Sequence, residues 1–305
     1  MKIRMIAGAV AVVLGSWANA QTFTAGEPLG TVNEAGEAKV MSSNVRVYGS
    51  FRFSESCAFD AERNLILAVN AGVPQNMEEN DGYVSLINPD GSVHTAKWIG
   101  NTRAGLTLNQ PLGSAVHDGV LYVADTDQVR TFNLATGVPL AAHPVADAGA
   151  NGLNGIGVAE DGTIYASNTR DPQRVYRITP DGVASVFIDG SPLLLPNGVA
   201  VDNDGNIVVI NIGNNHVMTF NTDGVLINTE YAAESGNDGV VITEDGTKYV
   251  SSVRYGSISR IVPGGEADVI AEGIPSAASI CYDSVQNQLV IPMNNNNSLG
   301  FLPLG

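Results

Sequence analysis

One frame recurs along this chain: a short apolar run, a tight turn and a second apolar run. Its clearest copy is PNGVAVDNDGNIVVIN, Pro196 to Asn211, and it returns as LGSAVHDGVLYVAD from Leu112, NGIGVAEDGTIYASN from Asn154 and DGVVITEDGTKYVSS from Asp238. Looser copies run from Glu55 to Asn70 and from Ala278 to Met293, with Arg63-Asn64 and Gln286-Asn287 at the turn. The opening residues are therefore Glu55, Leu112, Asn154, Asn197, Asp238 and Ala278, spaced by 57, 42, 43, 41 and 40 residues. A near-constant step of this size is the period of a β-propeller blade, so six copies predict a six-bladed, all-β propeller.

Between the copies lie further turns at Asp90-Gly91, Thr136-Gly137, Asp181-Gly182, Asp223-Gly224 and Gly264-Gly265. Such pairs supply the positive φ angles that tight hairpins need. Each unit thus holds four strands, A and B around the first turn, C and D around the second. The sixth unit is short: after Met293 only SLGFLPLG remains. The alternating segment VRVYGSF, Val45 to Phe51, is free to supply the missing strand, closing the ring and covering an open sheet edge. Residues 21–305 are accordingly expected to form one domain.

Met1 to Ala20 has the pattern of a secretory signal: Lys2 and Arg4, the apolar run MIAGAVAVVLG, and Ala18-Asn19-Ala20 as a small-residue cleavage site. Cleavage after Ala20 would give a periplasmic or secreted protein beginning at Gln21. No later apolar run is long enough to span a bilayer, so no membrane contact is expected after cleavage. Without Lys2 and Arg4 the chain holds 13 basic and 31 acidic residues, a net charge of −18. That surface repels phosphate backbones and excludes nucleic acid as a partner. A monomer is expected.

Cys57 and Cys281 lie two and three positions after the residues that open the first and last copies. Strand side chains alternate in direction, which lets the pair face each other across the seam between blades six and one. A disulfide suits an exported protein, and two buried, inert thiols fit the same positions. Spacing alone does not fix the separation that a disulfide requires.

In a propeller every A strand lines the axis in parallel, so the opening residues share one level around one mouth. Four of the six bear oxygen: Glu55, Asn154, Asn197 and Asp238. Two carboxylates brought together on a narrow axis repel each other and lose hydration. A hard cation removes both penalties, and carboxylate plus amide oxygens are what Ca²⁺ takes, although another divalent cation fits the same donors. No His or Cys joins the ring, which argues against zinc or copper. Turn preference alone accounts for Asn154, Asn197 and Asp238, but not for Glu55.

Glu55-Ser56 ahead of a strand, Asn197-Gly198 in PNGVAVD and Asp238-Gly239 in NDGVVIT resemble the metal-ligand motifs of the senescence-marker-protein, gluconolactonase and luciferin-regenerating-enzyme family of six-bladed propellers, more distantly related to the paraoxonases. The likeness extends over nearly all of residues 21–305. It implies Ca²⁺ bound by Glu55, Asn197 and Asp238, with Asn154 contacting substrate or a metal-bound water, and hydrolysis of lactones or related esters. Asp238 is the base that the resemblance implies. Gluconolactonase-type members carry an Arg two residues before the third-blade Asn and an Asp just after it; here those positions are Gly152 and Gly155. Leu112 stands where paraoxonases place a His. The expectation is an exported, Ca²⁺-dependent hydrolase of a small lactone or ester, one more apolar than a sugar lactone. The alternative is a non-enzymatic propeller that binds a protein or small ligand, with a structural cation or none.

Other features carry less. The last residue of each B frame, Asn70, Asp125, Asn168, Asn211, Ser252 and Met293, is polar in five copies, which fits side chains that tie strand B to adjacent loops. An insertion, Ala71 to Asp81, leaves blade one on the face of the ring, with Glu78 and Glu79 near the mouth. It is either a lid or a solvated charge run. His94, His117, His143 and His216 are scattered, and no nucleophile-elbow motif is present.

Overall fold

The computed structural model describes residues 30–49, 51–73, 80–101 and 106–305. The signal segment 1–20 and the acidic pair Glu78 and Glu79 lie outside these described residues.

A short hairpin of β1 (Gly30–Val32) and β2 (Ala38–Val40) precedes β3 (Arg46–Gly49). Blade one follows as β4 (Ser54–Asp60), β5 (Leu65–Asn70), β6 (Tyr83–Ile87) and β7 (Val93–Gly100). Blade two is β8 (Pro111–His117), β9 (Val120–Asp125), β10 (Gln128–Asn133) and β11 (Pro139–Pro144); blade three is β12 (Leu153–Val158), β13 (Ile164–Asn168), β14 (Arg174–Ile178) and β15 (Ala184–Asp189). Blade four is β16 (Pro196–Val201), β17 (Ile207–Asn211), β18 (His216–Phe220) and β19 (Leu226–Tyr231); blade five is β20 (Asn237–Ile242), β21 (Lys248–Ser252), β22 (Ser257–Ile261) and β23 (Ala267–Ala271). Blade six runs β24 (Cys281–Asp283), β25 (Gln288–Met293), β26 (Ser298–Pro303) and then β3, so an N-terminal strand closes it through the antiparallel register Ser298↔Gly49 to Phe301↔Arg46. All six blade sheets are four-stranded and antiparallel, as the repeat predicts. Among the described residues the only helical segments are two 3₁₀ turns, and no helix is long and apolar enough to cross a membrane.

The B strands explain why blades stack. In β5, Leu67 and Val69 join a cluster with Leu121, Val123 and Phe132 of blade two, whereas Ile66 and Ala68 join Val290, Leu299 and Phe301 of blade six. In β17, Ile207 and Val209 pack toward Tyr165 and Val175 of blade three, and Val208 and Ile210 toward Val240 and Val250 of blade five. Alternate side chains of a strand point to opposite faces, so a strand buried on both must be apolar throughout. Fully burying one such side chain contributes about 1.5–3 kcal/mol. The outermost strands are the most exposed, with successive residues open to water, and Leu226, Ile227 and Val269 stay exposed there.

At the seam of blades six and one, Cys57 and Cys281 form a disulfide with Cα atoms 5.4 Å apart. Their unequal offsets put them on opposite faces of equivalent blades, which is what facing across a seam requires. This decides between the two readings left open by the sequence. Strand A of blade six departs from the expected frame: it spans only Cys281–Asp283, while Ala277 and Ser279 each make an isolated bridge, to Met293 and Ser56.

Candidate active site

Each of the first five A strands carries an irregularity at its opening residue. In blade three the register passes from Leu153↔Asn168 to Ile156↔Ala166, leaving one residue extra on strand A, and blades one, two, four and five repeat this at Ser54/Ser56, Pro111/Ser114, Pro196/Val199 and Asn237/Val240. A bulge re-aims the side chain at its centre. Here it takes Glu55, Asn154, Asn197 and Asp238 out of the ladder.

The glycine after the opening residue has a steric cause. A methyl group on Gly155 would lie 2.8 Å from the carbonyl carbon of Asn197 and 2.8 Å from Cα of Gly198; one on Gly198 would lie 2.8 Å from the carbonyl oxygen of Asp238. Gly113 meets the carbonyl of Asn154 in the same way, and Gly239 meets Ser279 and Ile280. Adjacent A strands thus touch backbone to backbone at this level, which holds the opening residues at one height. Serines stitch alternate seams: Ser167 donates to the Asn197 carbonyl at 2.5 Å, Ser251 to the Ala278 carbonyl at 2.6 Å, and Ser56 to the Leu112 carbonyl.

The polar residues ending the B strands brace the approach to the ring. Asn168 Oδ1 accepts from the backbone N–H groups of Asn151 and Gly152, both at 3.0 Å, just ahead of Asn154. Asn211 accepts from Leu194 at 3.1 Å, Asn70 from Arg52 at 3.2 Å and Asp125 from Asn109 and Gln110, while Ser252 donates to the Ser235 carbonyl. The loop-tying role expected of these residues is the observed one.

The four oxygen-bearing residues are buried, Asn197 and Asp238 to 1% and 3% exposure, Glu55 to 5% and Asn154 to 9%. Asn197 Nδ2 donates to Asp238 Oδ2 at 3.4 Å. Three oxygens, Asn154 Oδ1, Asn197 Oδ1 and Asp238 Oδ1, are buried without a hydrogen-bond partner. Leaving such an atom unsatisfied costs about 1–3 kcal/mol, more when it is charged. Burial pushes the Glu55 carboxyl up to about 7 against a lowering bond from Asn294, and burial together with the charge of Glu55 pushes Asp238 well above the usual carboxylate range. The two acids therefore sense each other. Among the described residues no three His, Cys, Asp or Glu converge, so a cation on this axis has to draw on amide oxygens as well as the two carboxylates. The donor set, two carboxylates and two amides with three idle oxygens, suits a hard divalent ion.

Leu112 and Ala278 complete the ring without oxygen. Beneath it a cavity of about 420 Å³ follows the axis, walled by Ala58, Ala115, Ile156, Val199, Val240 and Ile280. None of the six opening residues lines it, so the ring separates this cavity, whose wall also includes Ser114, Ser279 and Ser284, from the opposite face. On the ring face, the described ends of the blade-one insertion are pinned: Asp81 accepts from the Val73 N–H at 2.8 Å, and Asn80 accepts from Leu108 at 2.7 Å.

The sequence profile of the SMP-30/Gluconolactonase/LRE-like region matches residues 77–291. The chain belongs to this family. Comparison with curated proteins finds no match. Among solved structures it is similar to a gluconolactonase from Xanthomonas campestris, at 21% identity and a TM-score of 0.61, over 92% of this chain and 95% of that one. A virginiamycin B lyase from Staphylococcus aureus aligns at 15% identity and TM-score 0.58, over 86% and 99%, and a streptogramin B lyase at 13% and 0.59, over 86% and 98%. At these identities the likeness is one of fold, and the family assignment rests on the profile.

Two residues escaped the sequence reading. Asn294 Nδ2 donates to Glu55 Oε2 at 2.8 Å, and Asn237, 1% exposed, has both amide atoms unpartnered among the described residues. A signal for Asn294 existed: the frame that ends in a polar residue in five copies ends in Met293 in the sixth, and the polar residue comes one place later.

Proposed function

We propose that the protein is an exported, Ca²⁺-dependent hydrolase of lactones or related esters, with the cation held by Glu55, Asn154, Asn197 and Asp238. The observation that carries this reading is the set of three buried, unpartnered oxygens on Asn154, Asn197 and Asp238 beside two mutually repelling carboxylates. Membership of a family named for gluconolactonase supports the reaction class. The pattern of Met1 to Ala20 supports export.

Bound Ca²⁺ supplies Lewis-acid polarisation of the substrate carbonyl and charge to stabilise its oxyanion. The chain does the rest. Asp238 accepts the proton of the attacking water; burial and the neighbouring Glu55 charge raise its proton affinity toward that task. A carboxylate shared with a cation is a weaker base, so one of its oxygens must stay free of it. Asn154, the most accessible of the four, is the one placed to meet water or substrate beside the cation.

The substrate is expected to be more apolar than a sugar lactone. Gly155 has no room for a side chain, so no anchoring group fits there, and Gly152 borders open space instead of offering a guanidinium. Leu112 adds no polar group to the ring. The second reading, a non-enzymatic propeller with a structural cation, draws on the near-complete burial of Asn197 and Asp238.

A panel of γ- and δ-lactones and aryl esters, assayed with Ca²⁺ and with chelator, separates the two. Hydrolysis lost on chelation and lost at least 100-fold in Asp238→Asn is the expected outcome. Undiminished turnover in Asp238→Asn would remove Asp238 from the mechanism, and a cation-loaded protein inert across the panel would favour the binding propeller.

A further inference from the structure

Resting on the cation-site reading above, we propose that Asn294 is a positioning residue for the site: it fixes the carboxylate of Glu55 so that this acid presents a free oxygen to the axis. Blade six contributes nothing at its opening residue, Ala278, and its A strand is cut to three residues. What it supplies is the run Asn294 to Asn297 after β25, three residues of which form the second 3₁₀ turn.

Asn294 is 6% exposed and committed at both ends of its amide. Nδ2 donates to Glu55 Oε2 at 2.8 Å, and Oδ1 accepts from the Asn295 backbone N–H at 2.7 Å. Exchanging the amide atoms would set oxygen against carboxylate and N–H₂ against N–H, so the partners fix the orientation. Asn294 therefore meets the Glu55 carboxylate through its nitrogen, with its oxygen turned to the Asn295 N–H. Its donor engages one Glu55 oxygen and leaves the other. The same arrangement recurs across the ring, where Asn197 Nδ2 engages Asp238 Oδ2 and leaves Oδ1 idle. Each carboxylate is thus held by one amide through one oxygen. Asn297 anchors this contact, its Oδ1 accepting from the Phe53 N–H at 2.7 Å, two residues before Glu55, whereas Asn296 bonds to neither partner, its Oδ1 accepting from the Ser276 hydroxyl at 2.9 Å.

Groups that orient metal ligands without touching the metal are worth about 10–100-fold in affinity. The test is calorimetric titration of Ca²⁺ into the metal-free protein, alongside thermal unfolding in chelator, for wild type, Asn294→Ala, the near-isosteric Asn294→Leu and Asn296→Ala. Expected is a loss of about 10-fold or more in Ca²⁺ affinity for both Asn294 variants, with Asn296→Ala within twofold of wild type. A merely structural Asn294 would lower the unfolding temperature in chelator and leave the affinity alone; that result overturns the proposal. So does an equal loss in Asn296→Ala, which would assign the effect to the loop. If wild type itself takes up no cation, the reading of the whole site fails, which is distinguishable from tight wild-type binding that the Asn294 variants share.

Discussion

Raising the pH of the metal-free protein should loosen it, and Glu55 is the reason. Its carboxyl is pushed from an ordinary value of 4.5 up to about 7 by burial. Between those values the folded protein keeps a proton that the unfolded chain has released, so stability falls as pH rises. The contribution is fully present below about 4.5 and gone above about 7. At about 1.4 kcal/mol per pKa unit, this group alone removes about 3 kcal/mol across the window. For a domain of this size that is a fall of about 6 °C in unfolding temperature. Asp238 shifts in the same direction and adds to the slope. The assay is thermal unfolding by circular dichroism in chelator from pH 4.5 to 8, for wild type and Glu55→Gln. The variant is needed because a formal charge of −16 gives the whole molecule a similar trend. Wild type should lose several degrees more than Glu55→Gln over the window, and Glu55→Gln should be the more stable protein at pH 8 without metal. Equal slopes in the two proteins would refute the idea that Glu55 is buried against its own charge. Added Ca²⁺ should flatten the wild-type curve above pH 7, because the cation favours the ionised pair.

Two further perturbations test the frame that holds the site. Replacing both Cys57 and Cys281 with Ser opens a link of sequence separation 224, worth about 5 kcal/mol in the chain-entropy picture; calorimetry should show a fall of about 10 °C, and a fall under 2 °C would mean that β3 and the apolar seam close the ring unaided. Gly155→Ala should cost about 1–3 kcal/mol by overpacking and weaken Ca²⁺ binding by displacing Asn197, whereas Gly152→Ala, with nothing within 4 Å of the added methyl, should be neutral or slightly stabilising; similar behaviour of the two in denaturant titration would contradict the backbone contact at the axis.

The propeller was legible because its signal is redundant. The turns repeat, the B strands are apolar on both faces, and the short last unit pointed to Val45–Phe51, of which Arg46–Gly49 pairs with β26. Glu55, Asn154, Asn197 and Asp238 were legible for the same reason: they occupy one register position in copies that the fold superposes. Asn294 was not, because its role depends on Met293 displacing the polar residue by one place, and a frame built from the other five copies has no position for it. Sequence also could not supply the bulges, which explain why a residue at the head of a regular strand leaves the ladder. Nor could it show that the glycines beside Asn154, Asn197 and Asp238 answer to the neighbouring blade and not to a turn. The disulfide fell between these cases: the offsets of Cys57 and Cys281 gave the direction of each side chain, and only the folded seam gave their separation.

The most direct test of the central claim is the metal content of the purified protein, measured after dialysis against Ca²⁺, beside Asp238→Ala. One cation per chain in wild type and a sharply reduced content in the variant is the expected result. A wild-type protein that takes up no Ca²⁺ under those conditions would contradict the site at its foundation.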